Sequence, residues 1–157
     1  DVMRNIEVTI HALEWMETKK NCKYDIIVLL QPTSPIRSSD HIDQAIQKLW
    51  ESNLSSLAAV KGPFQKRDPV LKRINQKGEM VAYCSDSNID PKEPFYIYNA
   101  ALYAVKRDYF IREKKFNSDE QVPFIMDTYH STDVDELADL IVAEEYLKIL
   151  GANKERE

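Results

Sequence analysis

The stretch IIVLLQPTSPIR, residues 26–37, decides the fold class. Residues 26–30 form a continuous apolar run of strand length, typical of a strand buried on both faces of a parallel sheet. The run stops at Gln31, and two prolines then enclose a Thr-Ser pair and restrict the backbone around it. The pattern indicates either a ligand-binding loop at a strand end, which would suit a polyhydroxylated ligand, or a rigid turn whose hydroxyls cap the next helix.

The segments around this stretch alternate between helix and strand. Apolar residues at helical spacing predict helices over about residues 4–19, 38–50 and 136–150, the last of them ended by Gly151. A second buried strand is predicted over residues 56–60. Because a strand–helix–strand unit has a right-handed crossover, we expect the two strands to pair in parallel. The sequence therefore predicts an α/β fold with a mostly parallel sheet flanked by helices.

The remaining segments complete one predicted domain over residues 1–157. Residues 61–95 form an excursion in which two short strands, about 70–74 and 80–83, flank a turn and predict a hairpin. Further elements are predicted over residues 95–105 (strand), 106–116 (short helix) and 122–126 (strand).

Composition excludes several classes of protein. With 43% hydrophobic and 30% charged residues the chain is typical of globular domains, and its net charge of −5 argues against nucleic acid or an anionic membrane as the main partner. Cys22 and Cys84 match no metal-binding or redox spacing, which favours a reducing cytoplasm. No apolar run reaches transmembrane length. We therefore expect a cytoplasmic protein without nucleic-acid or membrane partners.

A pair of carboxylates precedes the last predicted helix, in the stretch STDVDELAD, residues 131–139. Asp133 and Asp135 lie two residues apart, which on an extended chain places both on one side. Two carboxylates that form an incomplete cage suit Mg²⁺ when substrate phosphates complete its coordination. The alternative is that Asp135 caps the helix and Asp133 is solvated.

Two further groups of residues are open to more than one interpretation. The tyrosines and Asn99 in FYIYNAALY, residues 95–103, fit a binding wall or half-buried strand packing. His130 is placed beside the carboxylates. Five basic residues could attract an anion or form a solvated hairpin face: Lys61, Lys66, Arg67, Lys72 and Arg73.

Taken together, these segments resemble the acylneuraminate cytidylyltransferases, the CMP-sialic acid synthetases. The resemblance is carried, in the family's order, by LLQPTSPIRSSDHIDQAI (29–46), YNAALYAVKRDYF (98–110) and STDVDELADLIVAEEYL (131–147). It implies the Rossmann-like nucleotide-diphospho-sugar transferase fold and transfer of CMP from CTP to a nine-carbon 2-keto sugar acid with Mg²⁺. It also implies a homodimer formed through residues 61–95.

The resemblance assigns roles residue by residue. Gln31 and Thr33 match positions that contact the sugar acid, Asn99 and Tyr103 match an Asn-Gly-Ala-Ile-Tyr stretch beside that pocket, and Phe116 falls near an aromatic wall for the N-acyl group. The expected substrate-binding residues are thus Gln31, Thr33, Ser34, Asn99, Tyr103 and Phe116, and the expected catalytic metal ligands are Asp133 and Asp135.

Three departures from the family pattern limit these expectations. Ala100 stands where the family usually has Gly, and Ile97 stands where it commonly has an Arg that meets the substrate carboxylate. Lys92, Lys106 or Arg107 would then have to replace that Arg. The Gly-rich CTP-binding loop is also missing, so we expect either part of an enzyme or a partial homologue. The alternatives are a non-catalytic sugar-binding or dimerisation module, or a cytidylyltransferase for legionaminic or pseudaminic acid.

Overall fold

The computed structural model describes residues 2–64, 72–74, 76–82 and 94–154. The helices and strands predicted within these ranges are confirmed, but the last helix continues past Gly151. A single glycine costs only about 1 kcal/mol in a helix and does not by itself end one. In chain order the elements are α1 (Val2–Lys20), β1 (Ile26–Leu30), α2 (Ser39–Trp50), β2 (Ser56–Phe64), β3 (Lys72–Ile74), β4 (Met80–Ala82), β5 (Phe95–Lys106), α3 (Arg107–Glu113), β6 (Val122–Met126) and α4 (Leu137–Lys154).

The described chain contains a four-stranded sheet with the order β1-β5-β2-β6. β1, β2 and β6 run in one direction, and β5 is antiparallel to both β1 and β2. The predicted direct pairing of β1 with β2 is wrong, because β5 lies between them. β5 supplies the fully buried Ala101, Leu102 and Ala104, whereas β1 is at the edge and only half-buried. The α/β class itself is confirmed.

Helices cover both faces of this sheet. On one face, Ala45 and Leu49 of α2 pack against Leu57 of β2 and Phe124 of β6. On the other face, Phe110 of α3 forms a second cluster into which apolar residues of α1 pack. α2 begins at the predicted cap: the Ser38 hydroxyl accepts a hydrogen bond from the His41 backbone N–H, and the His41 ring in turn accepts one from the Ser38 backbone N–H. This cap fixes where the chain leaves the QPTSP loop, residues 31–35.

β5 is interrupted by a bulge near its middle. Ala58 of β2 pairs with Tyr103, but Val60, only two residues on, pairs with Tyr98, so β5 carries additional residues between these pairs. Ala100 lies in this bulge with a left-handed φ of 60°. Bulges bend a strand and change the direction of its side chains, and they are frequent next to active sites. Here the bulge contains Asn99.

Other parts of the described chain are less well covered. β3 and β4 form a separate two-stranded sheet, and Ile74 and Met80 on it are each 72% exposed. α4 buries Ala143 but leaves Leu137 and Ile141 largely exposed. Four residues that the sequence analysis considered lie outside the described residues: Lys66, Arg67, Cys84 and Lys92. No helix within the described ranges is long and apolar enough to cross a membrane.

Candidate active site

Three polar segments meet at one end of the sheet. The QPTSP loop follows β1, residues 127–135 follow β6, and the bulge lies in β5, the strand between β1 and β2. The Val134 backbone N–H donates a 2.8 Å hydrogen bond to the Thr33 carbonyl, which joins the QPTSP loop to the carboxylate stretch. Ligands of open α/β sheets bind beyond the carboxyl ends of parallel strands, and β1 and β6 both end here.

The QPTSP loop is held by a residue that the sequence analysis missed. Arg37 Nη1 donates to the Ala101 carbonyl at 2.6 Å and to the Gln31 carbonyl at 3.2 Å, so it fixes the loop against β5. Burial lowers the pKa of Arg37, but a guanidinium remains charged at neutral pH. The signal for this role in the sequence was an arginine two residues after Pro35, just beyond the rigid loop. Ser34 is 1% exposed, so the expectation that it presents its hydroxyl to a ligand is not supported. Its Oγ is buried and, like Asp133 Oδ1, has no hydrogen-bond partner among the described residues.

Asn99 is buried and acts as a bracket between β5 and the loop that follows β6. Its Nδ2 donates to Ser131 Oγ at 2.9 Å, and its Oδ1 accepts from the Ala101 backbone N–H at 3.1 Å. Ser131 Oγ in turn donates to the Met126 carbonyl at 3.3 Å. An Asn that bonds the backbone two residues ahead stabilises a tight turn, which here contains Ala100. Asn99 therefore positions the carboxylate stretch relative to β5.

The two predicted metal ligands differ in their surroundings. Asp133 Oδ1 is buried and has no hydrogen-bond partner among the described residues, whereas Asp135 is exposed. Asp135 does not cap α4 with its side chain. Instead, Asp139 Oδ2 accepts from the backbone N–H groups of Asp135 and Glu136, both at 3.0 Å. The N–H groups at the start of α4 are thus bonded by Asp139, and neither Asp133 nor Asp135 caps this helix with its carboxylate.

Asp133 and Asp135 open into a cleft of about 420 Å³. Tyr103 does not line this cleft but is next to Tyr98, which does: their ring centroids are 6.3 Å apart, and Tyr103 also packs against the cluster around Phe110. Burial, followed by smaller effects of Tyr98 and Asp133, raises the pKa of its phenol. The phenol therefore stays protonated and can donate a hydrogen bond. The polar side chains that line this cleft include those of Lys61, Tyr98, Asn99, Asp133, Asp135 and Asp139.

The donor set at this cleft fits a Mg²⁺ ion that a substrate helps to hold. A buried carboxylate oxygen without a partner is costly unless a cation or donor meets it. Across the described parts of the chain, no group of three or more His, Cys, Asp or Glu side chains is placed to hold a metal. Mg²⁺ commonly takes one or two carboxylates and completes its shell with water and phosphate oxygens, which matches Asp133 and Asp135.

Phe116 is not at the cleft. Its ring lies 4.8 Å from that of Phe110, inside the cluster beneath α1. The reason is that α3 ends early, at Glu113, and Lys114 follows in the left-handed conformation, so the chain turns Phe116 back onto the core. The expected aromatic wall for an N-acyl group is therefore not formed by Phe116.

The cations proposed to replace the missing Arg at position 97 are misplaced too. Lys106 and Arg107 lie at the opposite end of β5, where Lys106 Nζ donates to the Ser52 carbonyl at 2.6 Å and Arg107 pairs with Glu17 at 2.6 Å. They line a different cavity of about 510 Å³, together with Trp50 and Arg112. Both assignments are wrong because β5 is long enough to carry its two ends to opposite edges of the sheet.

A histidine pair supports the back of the loop after β6. His130 Nδ1 lies 2.7 Å from Asp127 Oδ2, and the His130 ring contacts the His41 ring edge-on with centroids 4.6 Å apart. Burial lowers the pKa of His41, and the charge of His130 lowers it further. His130, which the sequence placed beside the carboxylates, therefore connects their loop to the start of α2.

Comparisons with known proteins find several relatives of low sequence identity. The chain is 27% identical over 133 residues to an N-acylneuraminate cytidylyltransferase of Streptococcus agalactiae, covering 83% of this chain and 32% of that protein. It is 26% identical over 151 residues to the post-translational flagellin modification protein B of Campylobacter coli, covering 94% and 63%. A CMP-N,N'-diacetyllegionaminic acid synthase of Legionella pneumophila is 24% identical over 136 residues, covering 80% and 55%.

The resemblance to the acylneuraminate cytidylyltransferases is confirmed. The chain spans between about a third and two thirds of the length of these curated relatives. No family model matches it. A solved structure, the 4-diphosphocytidyl-2C-methyl-D-erythritol synthase of Anaerococcus prevotii, aligns with a TM-score of 0.49 at 14% identity over 85% of this chain and 64% of that one, a likeness too weak to bear on function.

Proposed function

We propose that this chain supplies the sugar-acid-binding and metal-binding part of a cytidylyltransferase. The reaction is the transfer of CMP from CTP to the anomeric hydroxyl of a nine-carbon 2-keto sugar acid, with release of pyrophosphate. The observation that carries the proposal is the hydrogen bond between Val134 and Thr33, which brings together the two motifs on which the resemblance rests. The named cytidylyltransferases among the relatives support the reaction class.

The residues in and around the cleft have separate tasks in this proposed reaction. Gln31 and Thr33 orient the sugar acid, and the Tyr103 phenol donates a hydrogen bond toward the cleft. Asn99 holds the bulge and the carboxylate stretch in register. Positioning of the sugar hydroxyl for attack on the α-phosphorus supplies much of the expected rate enhancement in such a site.

Asp133 and Asp135 would hold Mg²⁺ in this arrangement. The ion, when bound, neutralises phosphate charge as pyrophosphate leaves. The buried Asp133 oxygen is the inner ligand, because it has no other partner among the described residues. Asp135, which is exposed, faces the entering nucleotide.

The identity of the sugar acid is a separate part of the proposal. Sialic acid and the related legionaminic acid both fit the similarity to named relatives. A panel of sialic, legionaminic and pseudaminic acids, offered with CTP and followed by pyrophosphate release, would rank them. Turnover of none of these acids would favour the alternative, a non-catalytic sugar-binding module.

We also propose that the protein forms a homodimer through the β3–β4 hairpin. This hairpin stands apart from the main sheet and exposes Ile74 and Met80. Exposed apolar side chains on a protruding element are typical of protein interfaces. Sedimentation of the wild type and of an Ile74→Lys, Met80→Lys variant tests this. A dimer that persists in the variant contradicts the assignment.

The metal site is tested by Mn²⁺ binding, followed by electron paramagnetic resonance. We expect Asp133→Asn to weaken Mn²⁺ binding at least about tenfold, as loss of one charged ligand should. Asp119→Asn is the matched control, since Asp119 is exposed and precedes β6 at its other end. Equal Mn²⁺ affinity in the wild type and Asp133→Asn would contradict the metal assignment.

A further inference from the structure

Lys61 is fixed at the wall of the cleft by its position in the sheet. It lies in β2, a strand paired on both sides, where it is the direct cross-strand partner of Ile97 on β5 and of Met126 on β6. A residue in a doubly paired strand has a well-defined backbone position, so the direction in which its side chain leaves the sheet is set. The neighbouring Gly62 adds a further constraint, with a φ of 141° and Tyr96 packed against its Cα.

The charge of Lys61 is not used within the described structure. Three carboxylates line the same cleft, those of Asp133, Asp135 and Asp139, but Lys61 forms an ion pair with none of them. No hydrogen bond of its ammonium occurs within the described ranges either. By contrast, Lys106 on the neighbouring strand is bonded to a carbonyl. Among the described residues that line this cleft, Lys61 is therefore the cation available to a ligand.

An anionic ligand needs such a cation here. A carboxylate entering a cleft lined by three Asp side chains meets like charges, and this repulsion opposes binding unless it is compensated. A Mg²⁺ ion on Asp133 and Asp135 would be committed to phosphate oxygens. An ammonium, with three donors on a flexible stem, can meet a carboxylate separately. Ile97, the cross-strand partner of Lys61 on β5, carries no charge that would compete for the ligand.

We propose that Lys61 binds the carboxylate of the sugar acid and makes the site selective for an acid over a neutral sugar. This inference rests on the proposed function, because that function supplies the carboxylate. It also corrects the expectation that Lys106 or Arg107 takes this task. The cation expected at position 97 is replaced from the adjacent strand, one cross-strand pair away.

The test compares binding of N-acetylneuraminic acid with that of its neutral methyl ester, by calorimetric titration of the full chain in the presence of MgCl₂. We expect the wild type to prefer the acid by about tenfold, the effect of one charge-assisted hydrogen bond in a partly exposed site. Lys61→Met should bind acid and ester equally, at the level of the wild type with the ester. Lys61→Arg should keep the preference, and the exposed, distant Lys115→Met is the matched control.

Each other outcome is informative. An acid preference that survives in Lys61→Met overturns the assignment and leaves the proposed function in place. Equal weakening of both ligands in Lys61→Met would mean that Lys61 only supports the fold of the cleft, which also overturns it. If the wild type binds neither compound, the proposed sugar-acid site itself fails, and the role of Lys61 fails with it.

Discussion

The two ends of β5 differ in whether the charged side chains near them have partners. At the Lys106 end, Arg107 forms two hydrogen bonds to the Glu17 carboxylate, at 2.6 and 2.8 Å, and Lys106 is bonded to a carbonyl. At the Asn99 end, among the described residues, Lys61 has no partner and Asp133 has a buried oxygen without one. The larger cavity lies at the Lys106 end, yet its charges are mostly satisfied.

Under the proposed function, this difference separates charges that stabilise the fold from charges that meet a ligand, at opposite ends of one strand. Paired charges at the Lys106 end hold α1 against the sheet, since Glu17 belongs to α1. At the Asn99 end, the buried Asp133 oxygen without a partner among the described residues is costly to the fold, and a ligand or cation that meets it would offset this cost. Cavity size alone would point to the Lys106 end, away from the site proposed here.

The largest effect is expected for Asn99→Leu, which removes the bracket at the functional end. The Ala101 N–H and the Ser131 hydroxyl would lose their partner in a buried place. We expect the free energy of unfolding to fall by about 2–4 kcal/mol, from two unsatisfied groups. Urea denaturation measures this, with Asn117→Leu, at an exposed position, as the control. A loss below about 1 kcal/mol would mean that the bracket is not structural.

A smaller loss of stability is expected for Arg107→Met at the other end. The variant leaves the Glu17 carboxylate, whose side chain is only 14% exposed, without its partner. Hydrogen bonding to Arg107 lowers the pKa of Glu17, so the stabilisation by the pair is lost as pH falls through that lowered pKa. We expect a melting temperature several degrees lower and unchanged sugar-acid affinity. A loss of sugar-acid affinity in Arg107→Met would contradict the separation of roles between the two ends of β5.

Ala100→Gly should stabilise the protein. Ala100 has a left-handed φ of 60°, which costs an L-residue roughly 1–2 kcal/mol, and glycine avoids this cost while adding some unfolded-state entropy. We expect a net gain of about 1 kcal/mol in the free energy of unfolding. Ala101→Gly, in the same strand but outside the left-handed conformation, should instead destabilise. A loss of stability in Ala100→Gly would show that the Ala100 methyl group contributes packing that outweighs the strain.

The smallest effect concerns pH and the histidine pair. Burial lowers the pKa of His41, His130 lowers it further, and Asp127 and Asp40 oppose the shift. Because the unfolded chain then binds the proton more readily, this contribution is fully present above the ordinary pKa of 6.5 and is lost as pH falls through the lowered value. We expect the unfolding free energy to decline between neutral pH and about pH 5. His41→Asn should decline less, and an identical decline would exclude His41 as the cause.

Local features of this fold could be predicted from the sequence because they depend on neighbouring residues. The apolar run of β1, the Ser38 cap of α2 and the helical spacing of α1 act over a few positions, and each was found where the pattern placed it. The insertion of β5 between β1 and β2 depends on residues about seventy positions away, and nothing in the β1–α2–β2 segment encodes it.

The residues of the candidate site also divide into those that the local sequence predicts and those that depend on distant partners. The QPTSP loop and Asp133 were identified from rigid backbone and charge spacing, and the structure places them in contact through Val134. Phe116 lies in the cluster around Phe110 and does not line the cleft, because α3 ends early and the chain reverses there. Arg37 and Lys61 gain their meaning from partners on other strands, or from the absence of such partners in the described chain, which a linear pattern does not contain.

The bulge at Asn99 and Ala100 has a consequence for how this protein can change over evolution. β5 pairs with β2 in one register before the bulge and in another after it. Deleting a single residue there would slide one half of the strand past its partner and turn alternate side chains to the opposite face. Substitutions on either side leave both registers intact. The β5 segment beside the cleft can therefore acquire new side chains, such as Ile97 opposite Lys61, while the Lys106 half of the strand keeps the alignment that holds the sheet together.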